Sequence, residues 1–140
     1  METDSMEEDF VRILREDEGL FGLIAGRVYA DYAKQGTDYP YLVLTWVGED
    51  GSPHMTGAGR LAKSRGQIDI YAKDTDTRKK VFAKLRALLD GWTQKYYGDT
   101  LFERMDFENK IDSIEEPESG EETNDFRRTV LFGVWFQRSV

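Results

Sequence analysis

Residues 67–92 read QIDIYAKDTDTRKKVFAKLRALLDGW, and the change of period inside this stretch decides the fold. Its first part alternates: Ile68, Ile70 and Ala72 fall on one side, Gln67, Asp69, Tyr71 and Lys73 on the other. That is the pattern of a half-buried strand, whose side chains point to opposite faces in turn. Past Asp74-Thr75-Asp76-Thr77 the spacing switches. Val81, Phe82, Leu85, Leu88, Leu89 and Trp92 recur every three or four residues, the stripe of an amphipathic helix. Asp and Thr offer side-chain acceptors to the free N–H groups of the first turn, and Gly91 stands where the helix should end. A strand and a helix that are each apolar on one face must share a core with the rest of the chain.

Working outward, Met6, Phe10, Ile13 and Leu14 form a second helical stripe, and Ser5-x-x-Glu8 matches a capping box, which predicts a helix over about residues 5–16. Leu20, Phe21, Leu23 and Ile24 predict a short helical turn. Arg27-Val28-Tyr29 is a brief extended piece, and Lys34 to Tyr39 a polar loop. Pro40 opens the apolar run Tyr41–Val47, which predicts a strand inside a sheet. Residues 48–64 carry several glycines and a proline, and read as a loop projecting from the core. Leu101, Met105, Phe107, Ile111 and Ile114 predict one long strand, or two with a bulge near Asn109. Residues 115–125, EEPESGEETND, read as an acidic hairpin loop. In the last strand Phe126, Arg128, Val130, Phe132, Val134 and Phe136 share one face, with Leu131 and Trp135 on the other.

The expected fold is therefore a single α+β domain over residues 1–140. It has a mostly antiparallel sheet of about four strands with two main helices on one face, in the order α-β-β-β-α-β-β with a short first strand. Tyr71, Leu131 and Trp135 point to the other face, where apolar surface implies an oligomeric interface.

Composition narrows the function. The chain has 140 residues, 39% of them hydrophobic, enough for a core. It contains no Cys, which excludes disulfides and thiolate metal sites. No apolar run nears the ~18 residues of a membrane span, and the acidic N-terminus is unlike a signal peptide, so the chain reads as soluble and cytoplasmic. A net charge of −8 repels a phosphate backbone on average.

The candidate chemistry is thin. Gly57–Ser64, GAGRLAKS, nearly matches a phosphate-binding loop, with Ala62 where a glycine belongs, but a strand rather than a helix is expected after it. His54 is the single histidine and has no evident zinc or catalytic partner. Glu115–Glu122 lacks the alternating ligands of a calcium loop and reads as a solvated tip. Arg60, Lys63 and Arg65 form a small basic cluster able to meet nucleic acid or an acidic partner surface, although solvated charges are the plainer reading. Lys79, Lys80, Lys84 and Arg86 are the wet side of their helix. Among the tryptophans, Trp92 belongs to the helix stripe and Trp135 is the better interface candidate. No catalytic residue, metal site or cofactor site is expected.

Taken in order, several segments resemble the tail-completion, or tail-terminator, proteins of long-tailed bacteriophages and prophages, also called minor capsid or head–tail joining proteins. They are Gly26-Arg27-Val28-Tyr29, Tyr39-Pro40-Tyr41-Leu42-Val43-Leu44, and Gln67-Ile68-Asp69-Ile70-Tyr71-Ala72-Lys73. The helix with Val81, Leu85 and Leu88-Leu89-Asp90-Gly91 follows, and then the terminal Phe126–Trp135 strand. The resemblance implies an α+β subunit of the virion, assembled in the host cytoplasm. It implies a ring, typically a hexamer, on the head-proximal end of the tail tube, which stops tube polymerisation and meets the head–tail connector. The expected partners are further copies of the chain, the tail-tube protein and the connector protein, with DNA passing through the ring without specific binding. Arg60, Lys63, Arg65, Tyr71, Leu131 and Trp135 are the candidate interaction residues. The alternatives are a nucleotide-binding enzyme using the 57–64 loop and a generic protein-binding adaptor.

Overall fold

The computed structural model describes residues 2–34, 36–51, 61–115 and 125–138. In chain order the elements are α1 (Glu2–Glu16), α2 (Glu18–Ile24), β1 (Val28–Ala30), β2 (Tyr41–Gly51), β3 (Ala62–Ala72), α3 (Thr75–Asp90), β4 (Lys95–Tyr97), β5 (Thr100–Glu115) and β6 (Asp125–Arg138). One six-stranded sheet runs β1-β2-β3-β6-β5-β4. Every pairing is antiparallel except β1 with β2.

The stretch 67–92 behaves as its period requires. Ile68, Ile70 and Ala72 are fully buried, and the Asp74 side chain accepts from the Thr77 N–H at 2.7 Å to cap α3. Val81, Leu85 and Leu89 are buried, while Lys79, Lys80, Lys84 and Arg86 are exposed. Gly91 caps the helix with its N–H on the Ala87 carbonyl at 2.9 Å. The core lies between this helix, α1 and one face of the sheet. Phe10 of α1 stacks on Phe132 with ring centroids 5.1 Å apart, and Trp46 meets both rings edge-on at 5.5 Å. Phe82 of α3 meets Phe107 of β5 at 5.8 Å.

Gly66 of β3 pairs with Trp46 on one side and Phe132 on the other. A Cβ there would stand 2.5 Å from the Phe132 ring, so only glycine lets the two aromatics close over the sheet.

Several sequence expectations need correction. The α+β class and the one-sided helices hold, but among the described residues the sheet has six strands rather than about four, and there are three helices. Helix α1 starts at Glu2, so Ser5 sits within the helix and is not its cap. The missed strand β4 pairs with β5 across a two-residue turn, Gly98-Asp99, in which Gly98 takes φ 62°. A Gly-Asp pair directly after Tyr96-Tyr97 and before Thr100-Leu101-Phe102 was the available signal. The supposed loop 48–64 is shorter, because β2 runs on to Gly51 and β3 begins at Ala62. Residues 52–60, with His54 and Arg60, lie outside the described residues, as do 116–124 of the acidic segment. The bulge near Asn109 is present, with a register shift between Phe107 and Asn109, and a second occurs between Phe102 and Arg104.

Candidate interaction surface

The helices pack on the core face, and the opposite face of the sheet carries the sequence-derived candidates. Tyr71 sits across from Arg127, Gln67 from Leu131 and Lys63 from Trp135, with Arg65 paired to Gly133. Strand alternation therefore places Lys63, Arg65, Tyr71, Leu131 and Trp135 on one surface. Arg60 lies outside the described residues.

This surface is aromatic and charged rather than bare hydrocarbon. At the end where β2 and β3 approach residues 52–60, the Trp135 indole N–H donates to Asp106 at 2.9 Å. Lys63 and Arg104 stand 5.2 and 5.1 Å from the same ring, each within cation–π range. Lys63 also pairs with Glu108 at 2.9 Å, and Arg65 reaches that carboxylate at 3.9 Å. Glu108, the residue left unpaired by the β5 bulge, is thus aimed at the basic cluster. Two cations of the cluster spend part of their field on Glu108, which weakens the nucleic-acid reading of that cluster.

At the other end four tyrosines form a continuous group. Tyr41 stacks on Tyr71 with centroids 4.8 Å apart and meets Tyr39 and Tyr29 edge-on at 5.2 and 6.1 Å. Arg127 lies 5.9 Å from the Tyr71 ring and donates to Ser113 at 3.2 Å. Arg27, prominent in the sequence motif, holds this corner by donating to the Pro40 carbonyl at 3.0 Å and the Tyr39 carbonyl at 3.3 Å. Between the two ends, Leu131 is half-buried, and Asp69 accepts from Thr129 at 2.5 Å and from Gln67 at 3.1 Å. Sequence reasoning named Tyr71 and Trp135 but not Arg104, Asp106, Glu108 or Arg127, whose partners come from strands distant in the chain.

The core face hides a second group. Arg128 of β6 donates to both carboxylate oxygens of Asp112, at 2.5 and 2.9 Å. Arg78 of α3 approaches the same carboxylate at 3.8 Å. The hydrogen bonds from Arg128 hold the Asp112 carboxyl below the usual carboxylate range, with the charges of Arg128, Arg78 and Lys110 acting in the same direction against its partial burial.

Among the described residues no group of three or more His, Asp or Glu side chains could hold a metal ion. Beyond Ser64 the chain continues as strand to Ala72, so the 57–64 segment does not lead into the helix N-terminus that a phosphate-binding loop uses. Trp92 packs against the core as expected but from beyond the end of α3 rather than from its stripe, its indole N–H donating to the Phe102 carbonyl at 3.0 Å.

A family model described as tail completion protein gp17 matches residues 8–124. No curated protein matches the chain. Among solved structures, the chain is similar to one from the virion of a native gene transfer agent (GTA) particle, with 17% identity, 90% of each chain covered and a TM-score of 0.60. A second solved chain is 16% identical, with 96% of each chain covered and a TM-score of 0.52. At such identities the likeness is one of fold.

Proposed function

The chain belongs to the tail completion protein gp17 family, and from that premise we propose that it is a structural tail protein that closes the head-proximal end of a tail tube as a ring. In this reading the ring ends tube polymerisation and offers the joint to the head connector, six copies being the expected number. The family match over residues 8–124 carries the proposal, and the likeness of fold to a virion chain supports it. The surface chemistry is compatible with assembly. Tyr, Trp and Arg are the residues that anchor protein interfaces, and the helix-free face groups Tyr71, Trp135, Arg104 and Arg127. DNA threading such a ring would pass a chain of net charge −8, which disfavours tight phosphate binding.

The test is assembly in vitro with tail-tube protein, followed by electron microscopy. Tubes are expected to stop growing once the protein is added, with a ring at one end, and those ends should accept connector-bearing heads. Tubes that grow to the same lengths with and without the protein, and carry no terminal ring, would refute the proposal.

A further inference from the structure

The short edge strands cover β2 and β5 only in part. Among the described residues β1 pairs with β2 only over residues 42–44, although β2 runs to Gly51, and β4 pairs with β5 only over residues 100–102, although β5 runs to Glu115. Past those contacts each long strand presents a row of backbone N–H and C=O groups that meets no partner strand among the described residues. Exposure marks the same places. Residues 108–112 of β5 are exposed in succession, on both faces of the strand, with Ile111 at 55%. In β2 the bulge residue Val47 is 56% exposed, and Gly48 beside it is exposed too.

The two edges complement each other in direction and in charge. Every pairing along β2-β3-β6-β5 is antiparallel, so β5 runs opposite to β2. Copies arranged head to tail keep their strand direction from one to the next, which brings β5 of one copy to β2 of its neighbour in antiparallel sense. On the helix side of β2, where β1 stops, a cleft is lined by Glu7, Glu8 and Asp31 together with Trp46. On the helix side of β5 stand two exposed cations, Lys110 at 5.1 Å from the Phe82 ring and Arg86 at 4.2 Å from the Phe107 ring. Lys110 lies in the same cross-sheet row as Leu44, whose carbonyl accepts from the Asp31 N–H at 2.9 Å, so copies at one height bring Lys110 to the acidic cleft. Bulges and charges on an edge discourage indiscriminate pairing, and these are matched by the opposite edge of the same chain.

We infer that β5 of one copy, through its outer edge at residues 104–113, adds as an antiparallel strand to the outer edge of β2, from Thr45 onward, of a second copy. The inference rests on the ring reading above and gives it a contact: two different edges of one chain make a head-to-tail interface, the kind that closes into a ring.

The chain has no Cys, so engineered pairs report this contact cleanly. Within one subunit β2 and β5 are three strand spacings apart, ~14 Å, too far for a disulfide, which needs Cα atoms within about 7 Å. The experiment combines Thr45→Cys with Arg104→Cys, Asn109→Cys, Ile111→Cys or Ser113→Cys in the full chain and oxidises the rings formed on tail tubes. At least one pair should give a ladder of cross-linked copies on a non-reducing gel, roughly tenfold or more above Thr45→Cys with Lys79→Cys on the exposed side of α3. Moving the first cysteine to Gly48 should shift the favoured β5 partner to a lower residue number, the mark of antiparallel pairing; a shift to higher numbers overturns the inference. A second measurement needs no cysteine. Lys110→Glu and Glu8→Lys should each raise the concentration for half-assembly several-fold, and their equimolar mixture should restore it, because alternating neighbours are then matched. Rings from the parent, with no pair above the control and no effect of either charge change, refute the edge contact and leave the ring reading standing. Protection of the β5 edge amides from hydrogen exchange only when tail-tube protein is present, without cross-links between copies, assigns the edge to the tube and overturns the inference. A parent chain that forms no ring refutes the ring reading and takes this inference with it.

Discussion

Replacing Gly66 by alanine puts a methyl group where Phe132 already stands. The new Cβ would lie 2.5 and 2.7 Å from two ring atoms of Phe132 and 3.2 Å from Trp46. Phe132 has nowhere to go: it is fully buried, stacked on Phe10 at 5.1 Å and met by Trp46 at 5.5 Å. Forcing an extra carbon into such a core typically costs ~1–3 kcal/mol. Against this, alanine in a strand recovers about 0.5–1 kcal/mol of the backbone entropy that glycine loses on folding. The overpacking wins, and the expected net loss is on the order of 1–2 kcal/mol, or a Tm lower by roughly 3–8 °C. Urea unfolding of the Gly66→Ala protein measures it, and Phe132→Leu supplies the control. That substitution alone destabilises by opening a cavity. Combined with Gly66→Ala it should be less harmful than the sum of the two, with a favourable coupling of about 1 kcal/mol or more. A Gly66→Ala protein as stable as the parent, or additive behaviour in the double variant, would refute the claim that Gly66 exists to seat these rings.

Three further outcomes are expected. Gly98→Ala forces a side chain into a backbone of φ 62° and against the Asp9 carboxylate, 2.8 Å away, so stability should fall by ~1–2 kcal/mol in chemical denaturation. Asp112→Asn removes a carboxylate whose pKa is lowered by Arg128; a lowered pKa stabilises the fold above the unfolded-state value and that stabilisation is lost as pH falls through the folded one, so the parent's advantage over the variant should be full near neutrality and shrink on acidification, and a gap constant from pH 7 to pH 3 would contradict this. Leu131→Asp, on the helix-free face, should leave the thermal melt nearly unchanged while abolishing terminal rings on tail tubes; normal rings would remove that face from the assembly surface.

How far the sequence could be read depended on whether a feature is local. The Ile68-Ile70-Ala72 alternation and the Val81-Leu85-Leu89 stripe were legible because a strand and a helix each impose a fixed period on neighbouring residues. The Asp74 cap and the Gly91 stop were legible for the same reason. Even the bulge near Asn109 left a trace, a break in the alternation of β5. The short strands β1 and β4 were harder, since three residues carry almost no period, and β4 was missed altogether. Of the candidate surface, the sequence supplied Lys63 and Arg65 as a basic cluster, and Tyr71, Leu131 and Trp135 as the residues that interrupt an expected polar face.

By itself, then, the amino-acid order determined the α+β class, the two long helical stripes and the inward faces of β3 and β6, while in β5 it grouped the exposed Ile111 with residues of the core side. Tertiary structure decided who meets whom. The insertion of β6 between β3 and β5 sets Trp135 beside both Lys63 and Arg104, and sets Arg128 opposite Asp112. Read along β6, Arg128 is only a charge on an apolar face. Its meaning, a buried cation sharing one carboxylate with Arg78, arises from groups 16 residues apart along the hairpin and from a helix packed above them. Periodicity fixes direction within an element, but charge compensation is a sum over neighbours in space, and those neighbours exist only once the sheet has closed.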